Sequence, residues 1–571
     1  MSHDLDSADM QRPAESKIAK DRQPNRLPIS LWIACGFFAL VPVARWLFFE
    51  KDHQLANLAG IGVAVLGGLA AYVGIWRLVA NTWFRRLSLL LAPFVLVAVY
   101  LSLFEFVGMT GETLPVFRSR LGNKKTTSIP ATSTDFTAAE RNRDRGSLLS
   151  PIESTQFLGS DRNGIVQEDR FSVLWNEQLP SVLWKVPIGA GWSSFAVSDG
   201  LAITSEQIDA QECLTAFELT TGSVVWRFMS PGRHYHPMGG LGPRATPTIH
   251  QGKVFSQSAL GVVSCVKLKT GELVWQQDLL KLAGISQEAS EIAITWGRSG
   301  SPLVFDNQVV VPFGGKAGAA DLKTLICFDL NTGNVLWTGG DQQISYSSPA
   351  LLTLRGVRQI VSVNEGSATG HDPKNGNVLW STPWPSRSNG EACSSQPVAV
   401  DDHRLLLGRG YALGSKMIEV QFSNSNRENA LDPTNWKVDT VWASHKVLKT
   451  KFTSAIPYNG LLYGLSDGVL ECIDPKDGAR IWRGKRYGHG QAIIVNGHIL
   501  VTSEEGRIAL IPATESSRGK PIAEMPVLDG ITWNVPVVAG PYLLIRNAEF
   551  AACLISNKGM GQDAGTKPDV Q

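Results

Sequence analysis

Three long apolar runs open the pattern: Leu27–Phe49, Leu55–Trp76 and Leu87–Val107. Each is long enough to cross a hydrocarbon core of ~30 Å as a helix rising about 1.5 Å per residue. The middle run carries no charge and many small residues, which let helices pack closely. A cleaved signal peptide fits poorly, because a polar tail (1–26) precedes the first run and two further spans follow it. From 108 to 155 the chain is polar without an apolar period, which predicts a stalk, and a similar tail closes the chain at 557–571. Between them, over 156–556, short apolar stretches alternate with glycine-rich turns, the pattern of many short strands.

The charges flanking the spans set an expected orientation. Arg12, Lys17, Lys20, Arg22 and Arg26 precede the first run, and Arg77, Arg85 and Arg86 lie between the second and third. The first loop has only Lys51. Tail and second loop are therefore expected in the cytoplasm and everything after Val107 outside it. Arg118, Arg120, Lys124 and Lys125 blur that asymmetry on the far side. This predicts a multi-pass membrane protein with its strand-rich region on the extracytoplasmic side.

Across the strand-rich region a single string keeps returning: FELTTGSVVW, VKLKTGELVW, FDLNTGNVLW, HDPKNGNVLW and IDPKDGARIW. Gly222, Gly271, Gly333, Gly376 and Gly478 are each followed four residues later by Trp226, Trp275, Trp337, Trp380 and Trp482. The glycine supplies the positive φ of a tight turn, and the preceding Asp or Thr can bond the turn amides. The period and four strands per unit describe a propeller blade. Blades are expected at about 191–229, 244–280, 297–340, 345–383, 393–444, 452–486, 487–527 and 531–556, with the outer strand of the eighth supplied by 181–189. Eight blades is the expected count, with seven as the other. Cys265, Cys327, Cys472 and Cys553 stand six residues before Gly271, Gly333, Gly478 and Gly559, where other blades have Ala216 or Gly370. Equivalent positions in different blades lie too far apart for disulfides, so these are read as buried small residues.

These blades resemble the PQQ-type repeat of the quinoprotein alcohol dehydrogenase-like propeller superfamily, over 156–556. The resemblance implies that Trp226, Trp275, Trp337, Trp380 and Trp482 dock on the turn of a neighbouring blade. The superfamily holds quinoprotein dehydrogenases and also the propeller lipoprotein of the outer-membrane barrel-assembly machinery, a scaffold without a cofactor. Phrases such as GWSSFAV and WGRSGSPLV look like those of bacterial membrane-anchored PQQ-like repeat proteins.

Strand order places the starts of the inner strands around one mouth of the central channel. Each start is a small-residue run led by Trp192, Arg244, Arg298, Tyr346, Ser394 or Trp533. Loop ends add Glu206, Glu365, Arg409, Glu504 and Arg546, and the insertions at 230–242 and 276–297 fall on the same face. Two arginines among three aromatics could hold a planar polyanion such as PQQ; otherwise these residues pack and cap the links between blades. His234 and His236 offer two imidazoles to a metal without a visible third ligand. The calcium ligands and catalytic Asp of a PQQ enzyme cannot be placed, and no catalytic residue is assigned. With 53 Lys+Arg against 51 Asp+Glu there is no basic patch for nucleic acid.

The leading expectation is a membrane-anchored, extracytoplasmic binding or scaffold propeller for protein or envelope ligands, without a cofactor. The alternative is a PQQ- and calcium-dependent membrane-bound dehydrogenase of alcohols or sugars. A small-molecule ligand remains open.

Overall fold

The computed structural model describes residues 27–49, 53–79, 82–121, 152–315, 321–385, 392–423 and 429–556. Both tails, Gly559 and most of the expected stalk lie outside them. Two compact units divide the chain. The first is helical, running up to Arg45 and over Ala59–Leu101, and the second holds Trp46–Leu58 and the chain from Ser102 onward.

Helices α1 (Ile29–Phe49), α2 (His53–Val79) and α3 (Trp83–Leu103) are long and apolar enough to cross a membrane. Glycine sets the packing of α1 on α2, because a Cβ on Gly74 would lie 2.5 Å from Leu31 and one on Gly67 3.2 Å from Phe37. The expected polar stalk needs correction at its start. Strands β1 (Phe104–Met109) and β2 (Pro115–Ser119) form an antiparallel hairpin, so α3 ends at Leu103 and the chain turns back at Thr110–Leu114. Alternation in FEFV and PVFRS favours strands, and Phe106 meets Phe117 edge-on at 5.8 Å.

Eight sheets follow in chain order, antiparallel apart from one added strand in the seventh, and neighbouring blades share their apolar faces. The eighth sheet takes Ser181–Pro187 as its outer strand, pairing Cys553 with Trp184, so the ring is closed by residues from before the first blade. The recurrent string now has a geometry. Cys265, Cys327, Cys472 and Cys553 lie directly across the third–fourth strand pair from Trp275, Trp337, Trp482 and Trp184. A bulge follows each pair, and the indole leaves its own sheet. Nε1 of Trp184, Trp226, Trp275, Trp442 and Trp482 donates to the carbonyls of Leu219, Leu268, Leu330, Pro475 and Thr514 in the next blade. The turn glycine there has φ near +70° (+71° at Gly333), and a Cβ on Gly333 would stand 2.6 Å from Trp275. Trp337 packs on Gly376 in the same way. The four cysteines are buried and free, and burial raises each thiol to about 12.

Trp380 departs from the expected docking. Its Nε1 donates to Gln359 of its own blade at 2.7 Å, and the ring lies over Gly370. The next blade carries the 423–435 insertion where its turn glycine would be, and Gly370 leaves the indole room to fold inward. Gly370→Ala puts a Cβ 2.2 Å from Trp380 Nε1. It is expected to cost about 1–3 kcal/mol by overpacking, read as a lower midpoint in denaturant unfolding.

The channel is threaded by the segment 152–166, which precedes every blade. Ser154 bridges Val197 of blade one, Thr155 accepts from Ile249 of blade two, and Ile165–Val166 add a parallel strand inside blade seven. At its turn Arg162 is buried. It donates to the carbonyls of Pro302 (2.9 Å), Ser301 (3.2 Å) and Pro349 (3.2 Å), and Gln396 donates to its own carbonyl.

Candidate functional site at the mouth of the propeller

The small-residue runs that open the inner strands form a hydrogen-bonded belt. Ser194 N–H donates to Thr246 Oγ1, Thr246 N–H to Ser301 Oγ, Ser301 N–H to Ser348 Oγ and Gln396 N–H to Ser454 Oγ, all at 2.9–3.2 Å. Ser194 Oγ reaches Val535 O, and Gln491 bridges the carbonyls of Phe452 and Trp533. A hydroxyl is what such a position requires, since it accepts one neighbour's amide while its own amide donates onward. In the run led by Ser394 the bonds come from Ser395, to Thr450 Oγ1 at 2.6 Å and Thr453 O at 2.7 Å.

The arginines above this belt donate to backbone carbonyls, some of them across blade junctions. Arg546 donates to Thr204 Oγ1 (2.7 Å), Ser205 O (3.0 Å) and Gly189 O (2.8 Å), tying blade eight to blade one. Arg409 holds the carbonyls of Glu365 and Asn364 and lies over Trp384, Arg298 donates to Phe313 O, and Arg244 donates to Gly242 O and Gly239 O. Burial pulls Arg244, Arg298 and Arg546 down to about 10, which leaves them charged at neutral pH.

The carboxylates are equally engaged. Glu206, fully buried, accepts from Gly189 N–H (2.6 Å) and Thr215 Oγ1 (2.5 Å). Glu471 accepts from Leu448 N–H and Arg480. Glu212 accepts from Ala259 N–H at 3.1 Å, and burial raises its carboxyl from near 4.5 to about 7. A pKa raised on folding means that this group's contribution to stability is complete below pH 4.5 and is lost as pH rises through 7. Glu212→Gln keeps an acceptor and removes the charge, so its melting temperature relative to the parent should climb between pH 4.5 and pH 8.

The mouth itself is lined by aromatic rings and one cation, some of them half-buried and others, Tyr346, Lys451, His489 and Trp533, buried. Trp192 and Trp533 meet at 4.6 Å, Trp533 and Phe452 at 4.9 Å, and Phe452 and His489 at 5.7 Å. A second cluster joins Trp296 to Tyr346 (5.3 Å), His236 (6.0 Å) and Tyr411 (6.4 Å). Lys451 Nζ lies between the clusters, 4.9 Å from the Tyr411 ring and 5.3 Å from that of Phe452. Of the expected ring, Trp192, Tyr346 and Trp533 thus join the aromatic clusters of the mouth, the latter two buried, while Glu206, Arg298 and Arg409 are almost wholly buried. Sequence reasoning missed Phe452 and His489, although KFTSAIP carries the same lead-plus-small-residue signal as GWSSF.

The tip of the β1–β2 hairpin sits against this surface. Glu504 Oε1 accepts from Gly111 N–H (2.6 Å) and Trp533 Nε1 (2.9 Å), and Oε2 accepts from His489 N–H (3.1 Å). Lys451 donates to Gly111 O and to Gln54 Oε1, the latter at 2.9 Å, and Glu112 pairs with Arg486. Burial, with Lys451 and Arg486 near, holds the His489 imidazole neutral, well below its usual range. A cleft of about 490 Å³ remains beside the tip, lined by Thr110, Glu112, Lys485, Arg486, Glu504 and Arg507 among others.

Among the described residues no third ligand-type side chain joins His234 and His236. His234 is buried and pushed down to about 4, and His236 Nδ1 accepts from Met238 N–H. Among the described residues the group of three ligand-type side chains is Asp401, Asp402 and His403, in the first turn of blade five.

Residues 210–483 match the family model described as outer membrane protein assembly factor BamB. The outer membrane protein assembly factor BamB of Moranella endobia (strain PCIT) is 26% identical over 201 residues, 35% of this chain and 46% of that protein. The match thus spans less than half the length of that relative. BamB from Moraxella catarrhalis aligns at 13% identity over 66% of this chain and 99% of that one, with a TM-score of 0.43. A europium-containing methanol dehydrogenase aligns at 11% identity over 69% and 90%, with a TM-score of 0.42.

Proposed function

We propose that this eight-bladed PQQ-like repeat propeller is a membrane-anchored binding module that holds polypeptide or other envelope ligands at its mouth, without a cofactor. The carrying observation is the engagement of its charged groups. A planar polyanion with a divalent cation needs convergent guanidiniums and carboxylates, but Arg409 and Arg546 are turned onto backbone carbonyls and Glu206 onto a backbone amide. Groups already bonded within the protein support a reading without PQQ, and the half-buried aromatic rings at the mouth, Trp192, Trp296 and Tyr411, suit protein contacts. The assembly-factor name of the relatives agrees with this reading. With three helices able to cross a membrane and the Lys/Arg bias of their flanks, we place the anchor in the inner membrane and the propeller on its periplasmic side.

The test is direct. Purified protein is mixed with PQQ and Ca²⁺, then followed by quinone absorbance and by dye-linked oxidation of alcohols and sugars. The expected result is neither stoichiometric uptake nor turnover. Uptake with turnover would establish the dehydrogenase instead.

A further inference from the structure

The hairpin tip meets the mouth mainly through polar groups that any polypeptide could supply. Gly111 contributes its amide hydrogen to Glu504 and its carbonyl to Lys451. Glu112 contributes a carboxylate to Arg486, and His53 reaches the same group at 3.2 Å. Only the absence of a side chain at position 111 is demanded outright, because a Cβ there would stand 2.4 Å from the His489 ring. The strands that carry the tip have no buried residue, the first being half-buried at four of six positions and the second mostly exposed, so little apolar burial holds them down. Open cleft lies immediately beside it.

We propose that the mouth between Lys451, Arg486 and Glu504 is a receptor for a glycine–acid turn of a partner protein, and that Thr110–Thr113 is a tethered occupant which this partner displaces. The inference rests on the binding-module reading and names its partner class. The recognised chemistry is a tight turn with glycine at the first seated position and a carboxylate at the next. A short tether gives the occupant an effective concentration on the order of mM, so a free turn of equal intrinsic affinity competes poorly until the tip lifts.

The probe is a labelled, backbone-cyclised peptide of residues 104–119, titrated into the full chain in nanodiscs and read by fluorescence anisotropy. Gly111→Leu in the chain cannot seat and is expected to bind the peptide at least about tenfold more tightly than the parent, by removing the tethered competitor. Glu112→Lys, which unseats the tip by charge instead of bulk, should do the same. Lys451→Ala or Glu504→Gln, added to Gly111→Leu, should abolish the gain, and a peptide carrying Leu for Gly should not bind. Equal affinity of the parent and both unseated variants overturns the proposal, as does a gain that survives Lys451→Ala. The outcomes separate cleanly. PQQ turnover would remove the binding-module reading whatever the peptide does, whereas absent peptide binding without turnover removes only the turn receptor.

Discussion

Trp184→Ala is expected to lower the unfolding free energy by about 3–5 kcal/mol, the range for deleting a large buried aromatic. Trp184 is buried, packs on Gly222 and donates to Leu219 O at 2.9 Å. Trp275→Ala removes an equivalent indole at an internal blade junction and should cost a similar amount. The two differ in what else they release. Trp184 sits on the Ser181–Pro187 strand that closes the ring, whereas Trp275 sits in a strand held by its own hairpin. Limited proteolysis should therefore cut near 181–187 in the first variant and leave the second intact. Equal protection of that strand in both would show that closure does not depend on this side chain.

Arg162→Met should be comparably severe. It removes three bonds in the middle of the channel, leaving the carbonyls of Ser301 and Pro349 without the Arg162 donor and that of Pro302 with Thr248 Oγ1 alone. Each bond to a charged donor is worth about 1.5–3 kcal/mol. Against this stands relief of one desolvated cation, whose burial pulls the guanidinium to about 9. Three or more bonds outweigh it, and a net loss of about 3 kcal/mol or more is expected in chemical denaturation. Arg162→Lys should recover only a fraction of this, because an ammonium cannot fan toward carbonyls from two blades at once.

The repeat is readable because its chemistry is local. A glycine with φ near +70°, an acid that caps the turn and a tryptophan four residues on all belong to one hairpin. Asp329 illustrates this, accepting from Asn331 N–H, Thr332 N–H and Thr332 Oγ1 within four residues. Trp380 escapes that reading because docking is a property of two blades, and the second has exchanged its turn for an insertion. At the mouth, the positions of Arg409 and Arg546 are legible and their partners are not. Those partners are backbone carbonyls, which have no signature in a sequence. The segment 152–166 shows no apolar period either, and its shape is dictated by strands much later in the chain. Gly159 and Gly164, both at positive φ around Arg162, are its one visible trace.

That segment also fixes an order of events. Residues made before any blade end up encircled by nearly all of them, with Ile165 waiting for Ile494 and Trp184 for Cys553. The early blades can assemble as they emerge, but the core strand and the rim strand stay unmatched until synthesis reaches the last two sheets. Loop closure over such spans is slow. Loss of an internal blade would therefore do more than shrink the ring, because it would shift the late partners away from the early strands that await them.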